Sequence, residues 1–328
     1  MASRALAFSD PEVIRLANAA FVPVADNVSH LQRQKDAEGE FFRKVAEQGH
    51  YAGRTIPTDT RQGIYAFTTD GDLLASINTR TADRMLEMMQ RALAAWEARG
   101  QRQGSAVPNE FMADRRFDHE PPAGGLILNV YSRDLPRDEP LDAADWRARA
   151  HNRDHAWLTA EELSRLAPRD PAVGRRYPLD PAVLRRLVLF HLIDNVRGEP
   201  PMWKAANVAR AQVELVVEAV SATEVRLALT GEVRLEESGV WPIGSEGAPT
   251  ARQRGYHASL TGRVVWNRAL GRPSRFDLVA AGARWGATQY NARQDDLGPA
   301  PLGIAFELAG DAPADRTPPQ GIYAGYFG

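Results

Sequence analysis

Gln212-Val213-Glu214-Leu215-Val216-Val217, followed by Val225-Arg226-Leu227-Ala228-Leu229 and Gly231-Glu232-Val233-Arg234-Leu235, is the stretch that decides the fold. Apolar residues alternate with Glu, Arg or Thr, a period of two that lays one face of a strand on a core and leaves the other in water. The pattern returns over residues 256–266, 275–282 and 302–308, with turn residues between. One antiparallel sheet is therefore expected, strongly curved or closed into a partial barrel. Just upstream, Asp180-Pro181 opens the most apolar segment of the chain, which contains Leu184, Leu187, Val188, Leu189, Phe190, Leu192 and Ile193 and stops at Gly198. It reads as a helix over 182–196, apolar almost all round and hence buried against the inner face of the sheet. Residues 126–131 are a further strand candidate.

The 328 residues suggest about two domains. Lys+Arg 40 against Asp+Glu 42, with 44% hydrophobic residues, is ordinary globular composition and argues against a polyanion-binding surface. The absence of cysteine excludes disulfides, thiolate metal sites, iron–sulfur clusters and cysteine nucleophiles. No stretch approaches the roughly 20 apolar residues of a membrane span, and the first residues lack the 7 to 15 apolar residues of a signal peptide. A cytoplasmic chain, or an exported one with its leader removed, is the expectation.

The first hundred residues read as mixed α/β. Ser9-Asp10-Pro11-Glu12 is a capping box before Val13, Ile14 and Leu16. Phe21-Val22-Pro23-Val24-Ala25 reads as a short buried strand, and residues 36–48 as a helix. Residues 64–67 and 73–76 flank the turn Thr69-Asp70-Gly71-Asp72 as a hairpin, and a last helix carries Met85, Met89, Ala92 and Trp96. The polar, glycine-punctuated residues 98–105 mark a boundary near 104, giving domains 1–104 and 105–328.

That order of elements resembles a thioredoxin-like domain. Phe8-Ser9-Asp10-Pro11-Glu12-Val13 with Phe21-Val22-Pro23-Val24 is similar to a helix–strand segment of that family, and Thr69-Asp70-Gly71-Asp72-Leu73-Leu74 to its hairpin. The resemblance covers residues 5 to 98 and implies a domain whose redox pair is missing, since the chain has no cysteine and Arg61-Gln62-Gly63 stands where the cis-proline is usual. Without a thiolate no thiol–disulfide exchange is possible, and a packing or interaction role is implied. The fold expectation is thus α+β: a thioredoxin-like unit followed by a helix-backed antiparallel domain.

Chemistry is expected in the second half. His151 and His155 are four apart and would share one side of a helix, close enough to hold a transition metal such as zinc or copper, with His257 as a third imidazole; the alternative is that His155 and Trp157 are partly buried anchors whose ring N–H groups bond backbone carbonyls. His191, Asp194 and Asn195 fall on one side of the apolar helix, and His191 with Asp194 is either a proton-handling pair or part of an internal hydrogen-bond network. Arg284, Trp285, Tyr290 and Arg293 are a candidate ligand wall, or else cross-strand pairs that any sheet selects. No phosphate loop, nucleophile elbow or Rossmann fingerprint is present, so no nucleotide or flavin is expected. The Arg175-Arg176 and Arg185-Arg186 pairs are too isolated for nucleic acid. Two functions remain open: binding of a small molecule or a protein partner, or a metal- or His/Asp-dependent enzyme centred in the second domain.

Overall fold

The computed structural model describes residues 7–26, 28–53, 60–100, 119–139, 141–143, 145–244 and 247–327. They belong to two compact units, Ser3–Asp118 and His119–Gly328. The expected linker lies largely outside the described residues.

In the first unit, α1 (Pro11–Ala20) is capped by Asp10, whose carboxylate accepts from the backbone N–H of Glu12 and Val13 at 2.9 and 3.2 Å. The cap is thus Asp10 and not Ser9. The buried strand expected over 21–25 does not form. Residues 21–26 run as coil, with Val22 and Val24 90% and 79% exposed. A strand needs a ladder partner, and here β1 (Ile64–Phe67) and β2 (Leu73–Ile77) pair only with each other, antiparallel, around Gly71 at φ +82°. Two short helices, α2 (Val28–Leu31) and α3 (Ala37–Ala46), precede the hairpin and α4 (Ala82–Ala98) follows it. Met85, Met88, Met89 and Ala92 of α4 pack with Val13 and Ala66 as this unit's core.

The second unit is one sheet of eight strands. These are β3 (Leu126–Asp134), β4 (His151–Leu158), β5 (Arg176–Pro178), β6 (Val208–Val220), β7 (Glu224–Trp241), β8 (Thr250–Asn267), β9 (Arg272–Trp285) and β10 (Ala300–Leu308). The order is β4-β3-β10-β9-β8-β7-β6-β5, every neighbour antiparallel. The period of two holds: Val213, Leu215 and Val217 face the core beside Leu227, Leu229 and Val233. The sheet is not closed, so the partial barrel is corrected to an open one. Two short helices, α5 (Trp146–Arg149) and α6 (Ala160–Arg165), flank β4; α6 begins with a capping box in which Thr159 and Glu162 each accept the other's backbone N–H. The apolar helix, α7 (Pro181–Phe190), shares one core with the inner face through Val183, Leu187, Val188 and Phe190. It ends six residues earlier than the sequence suggests, with His191 as its C-cap. Mixed α and β structure is what the chain has, and among the described residues no helix is long and apolar enough to cross a membrane.

Candidate functional site

The early end of α7 separates residues that a longer helix would have aligned. His191 is 2% exposed. Its Nδ1 lies 3.1 Å from Asp154 Oδ2 and its Nε2 2.7 Å from Tyr326 Oη. The phenol oxygen accepts the backbone N–H of Trp157 at 3.0 Å and so donates to Nε2, leaving the Nδ1 proton for Asp154. Asp154 Oδ1 in turn accepts the backbone N–H of Gln320 at 2.8 Å. Burial raises the Tyr326 hydroxyl above its ordinary range. The group therefore acts as a latch that fixes the C-terminal segment to α7 and β4, with every polar atom partnered.

Asp194 belongs to a different cluster. Arg293, fully buried, clasps it with Nε and Nη2 at 2.9 and 2.7 Å and reaches Asp134 with Nη1 and Nη2 at 2.9 and 2.7 Å. Arg197 meets Asp134 at 2.8 Å and Asp296 at 3.2 Å, Arg137 meets Asp296 at 2.9 Å, and Arg284 pairs with Asp296. Burial lowers the proton affinity of Arg284 and Arg197 from its ordinary value, aided by repulsion from Arg293. Against burial, which would raise them, Arg137 and Arg284 hold Asp296 below the usual carboxylate range and Arg293 does the same for Asp134. His191 and Asp194, expected as one proton-handling pair, thus have separate partners. Arg284 and Arg293 are brought together, but their forks are largely spent on carboxylates and not free for a ligand. Trp285 lies on the other face of the sheet, against Gly255 and with its ring 4.6 Å from that of His257.

The helical placement behind the metal expectation is corrected. His151 and His155 lie on strand β4, not on a helix, so four residues separate them by about 13 Å instead of one helical turn. His257 is on β8, beyond β3, β10 and β9, and bonds Glu236 at 2.8 Å. Among the described residues no three His, Asp or Glu side chains are grouped to hold a metal. His155 is 5% exposed, burial lowers its proton affinity, and its Nε2 has no partner among the described residues.

What sequence reasoning missed is an open pocket of about 560 Å³ whose lining includes Asn195, Glu199, Met202, Gln289, Tyr290 and Gln320. Its walls are fixed from behind. Gly198 lets two backbones meet, since a Cβ there would lie 1.9 Å from the Tyr290 carbonyl oxygen, and Glu199 N–H donates to that same oxygen at 3.0 Å. Arg254, stacked 4.2 Å over Trp203, donates to the Pro201 carbonyl at 2.8 Å. Gln320 exchanges hydrogen bonds with Asn152 at 2.9 and 3.4 Å and is anchored by the latch. Asn195 is 4% exposed, lines the pocket, and its amide makes no hydrogen bond within the described residues. Its signal in the sequence was its position, a polar residue inside the most apolar segment. No family model, curated protein or solved structure matches the chain.

Proposed function

We propose that the second unit is a binding domain for a small, polar molecule, and that the cysteine-free first unit, which resembles a thioredoxin-like domain without its redox pair, is a packing or interaction module. The observation that carries the reading is Asn195. Its amide atoms are not sealed from solvent: they open on the pocket, where a ligand's polar groups can bond them. The pocket has the size of a small-molecule site, with a few polar groups set among Pro200, Pro201, Met202 and Ala324. Its backing is rigid: Arg254 on one wall and the His191–Asp154–Tyr326 latch on the other hold the lining in place before a ligand arrives, which reduces the entropy lost on binding. The enzyme reading is weaker, because His191 and Asp194 have separate partners and neither lines the pocket.

Saturation-transfer NMR on the full chain with benzamide, cyclohexanol and methyl α-D-glucopyranoside tests this. At least one probe is expected to receive saturation, with the signal lost in Asn195→Leu. Failure of all the probes, or equal signals from the unaltered chain and from both Asn195→Leu and Tyr290→Ala, rejects the pocket as a binding site.

A further inference from the structure

Resting on the pocket reading above, we infer that residues 313–327 form a strap that walls the pocket and loosens on mild acidification, with the buried imidazole of His155 as the trigger. The path of the chain is the first argument. Asp154 reaches α7 through His191, so Arg153 and His155, which alternate with it along β4, lie on the outer face of the sheet. There Asp315, in the helical turn Pro313–Arg316 that packs on β3, meets Arg153 at 2.8 Å. Further on, Gln320 bonds Asp154 and Asn152 of the inner face, and Tyr326 bonds His191 and the Trp157 N–H. The chain thus passes around β4, the edge strand, before Gln320 and Ala324 become pocket wall. Among the described residues no backbone–backbone hydrogen bond ties residues 313–327 to the sheet or to α7. A segment held only through side chains opens at lower cost than the ladders beside it.

The trigger is the second argument. His155 lies opposite Asn129, is 5% exposed, and its Nε2 has no partner among the described residues. The charged and titratable groups that face it are Arg153 and Asp154 on its own strand, Asp315 from the helical turn and His191 from the end of α7. Burial outweighs the pull of the two carboxylates and keeps the ring neutral while the strap is closed. A proton on this nearly sealed ring places a second cation beside Arg153, and lifting the turn off the outer face breaks Arg153–Asp315 and lets water reach both. An exposed imidazole titrates near about 6.5. The closed state binds fewer protons below that value, so closure is complete above about pH 6.5 and weakens by up to about ten-fold per pH unit as pH falls. Gln320 and Ala324 move with the strap, so the pocket loosens in step.

The test is hydrogen exchange on the full chain at about pH 7.5 and about pH 5.5, corrected for the intrinsic rate and read at the Gln320, Ile322 and Ala324 amides, which bond Asp154, Pro319 and Gly321. These amides are expected to exchange faster than the β7–β8 ladder at both values, and their opening to rise at least about five-fold at the lower one. The rise should vanish in His155→Gln; in Asp315→Asn opening should be greater at both values with the rise retained. Whichever of benzamide, cyclohexanol and methyl α-D-glucopyranoside binds at neutral pH should slow this exchange when saturating, because a ligand that needs both walls holds the strap shut. Exchange that ignores pH, that slows in acid because the imidazolium draws Asp315 closer, that keeps its rise in His155→Gln, or that is no faster than the ladder's overturns the inference. A probe that binds without slowing strap exchange overturns the strap's hold on the pocket. Silence of every probe overturns the pocket reading and the strap's role as its wall, whereas the acid response is decided by exchange alone.

Discussion

Arg293 spends all its N–H groups on Asp134, Asp194 and Asp296, so its neighbours depend on it more than it depends on any one of them. Replacing it with Met leaves buried carboxylates facing each other, and removal of one partner from such a pair costs about 3–5 kcal/mol. Arg293→Met is expected to lower the urea midpoint of the second unit accordingly, whereas Arg137→Ala, which removes two hydrogen bonds to Asp296 alone, costs less, about 1–3 kcal/mol. The same cluster sets an acid limit. Asp134 and Asp296 have folded-state proton affinities below the unfolded value, so the stability they add is complete above about pH 4, the unfolded carboxyl range, and is lost as pH falls further through their depressed values. A stability profile between pH 6 and 2 should therefore bend downward below about pH 4, and more shallowly in Arg293→Met. A profile that is flat down to pH 2, or identical in the two proteins, contradicts this account.

At the level of elements, the latch joins α7, β4 and the C-terminal segment through one hydroxyl. Tyr326→Phe keeps the ring but strips hydrogen bonds from Trp157 N–H and His191 Nε2, and is expected to cost about 1–3 kcal/mol. Amide exchange at Trp157 should accelerate with it; unchanged exchange would mean that the backbone there is held by the β3–β4 ladder alone. The boundaries of elements were legible where the signal is local. Thr159 and Glu162 form the capping box their spacing announces, Asp180-Pro181 starts α7, and alternation alone located β6 to β10. Two kinds of information were not local. The i, i+4 spacing of His151 and His155 fits a helix, but the cross-strand pairs Asn129↔His155 and Arg133↔His151 show tertiary pairing overriding it. The partners of the site residues are distant as well: Asp134 and Arg293, or His191 and Tyr326, meet only once the sheet is assembled. Asn195 stood out as polar in an apolar run, but the pocket beside it depends on residues 289, 290 and 320, which no window around 195 contains.

For the whole molecule, the two cores share no residue: the smaller one is built from Ala7 to Ala92 and the larger from Leu126 to Tyr326. Residues 119–328 produced alone are therefore expected to fold, to melt cooperatively within a few degrees of the matching transition of the full chain, and to bind the same probe. A fragment that stays unfolded would show that the second unit needs the first. The sheet order has a further consequence, for biosynthesis. β3 and β4 leave the ribosome early, yet the other edge of β3 pairs with β10, near the end of the chain. Until β10 is made, β3 and β9 each present a bare edge, with Val130 and Leu278 still lacking Phe306 beside them and Leu128 lacking Leu308. Such edges invite pairing between nascent chains, so interrupted translation products ending before residue 300 should be far more demanding of chaperones than the finished protein.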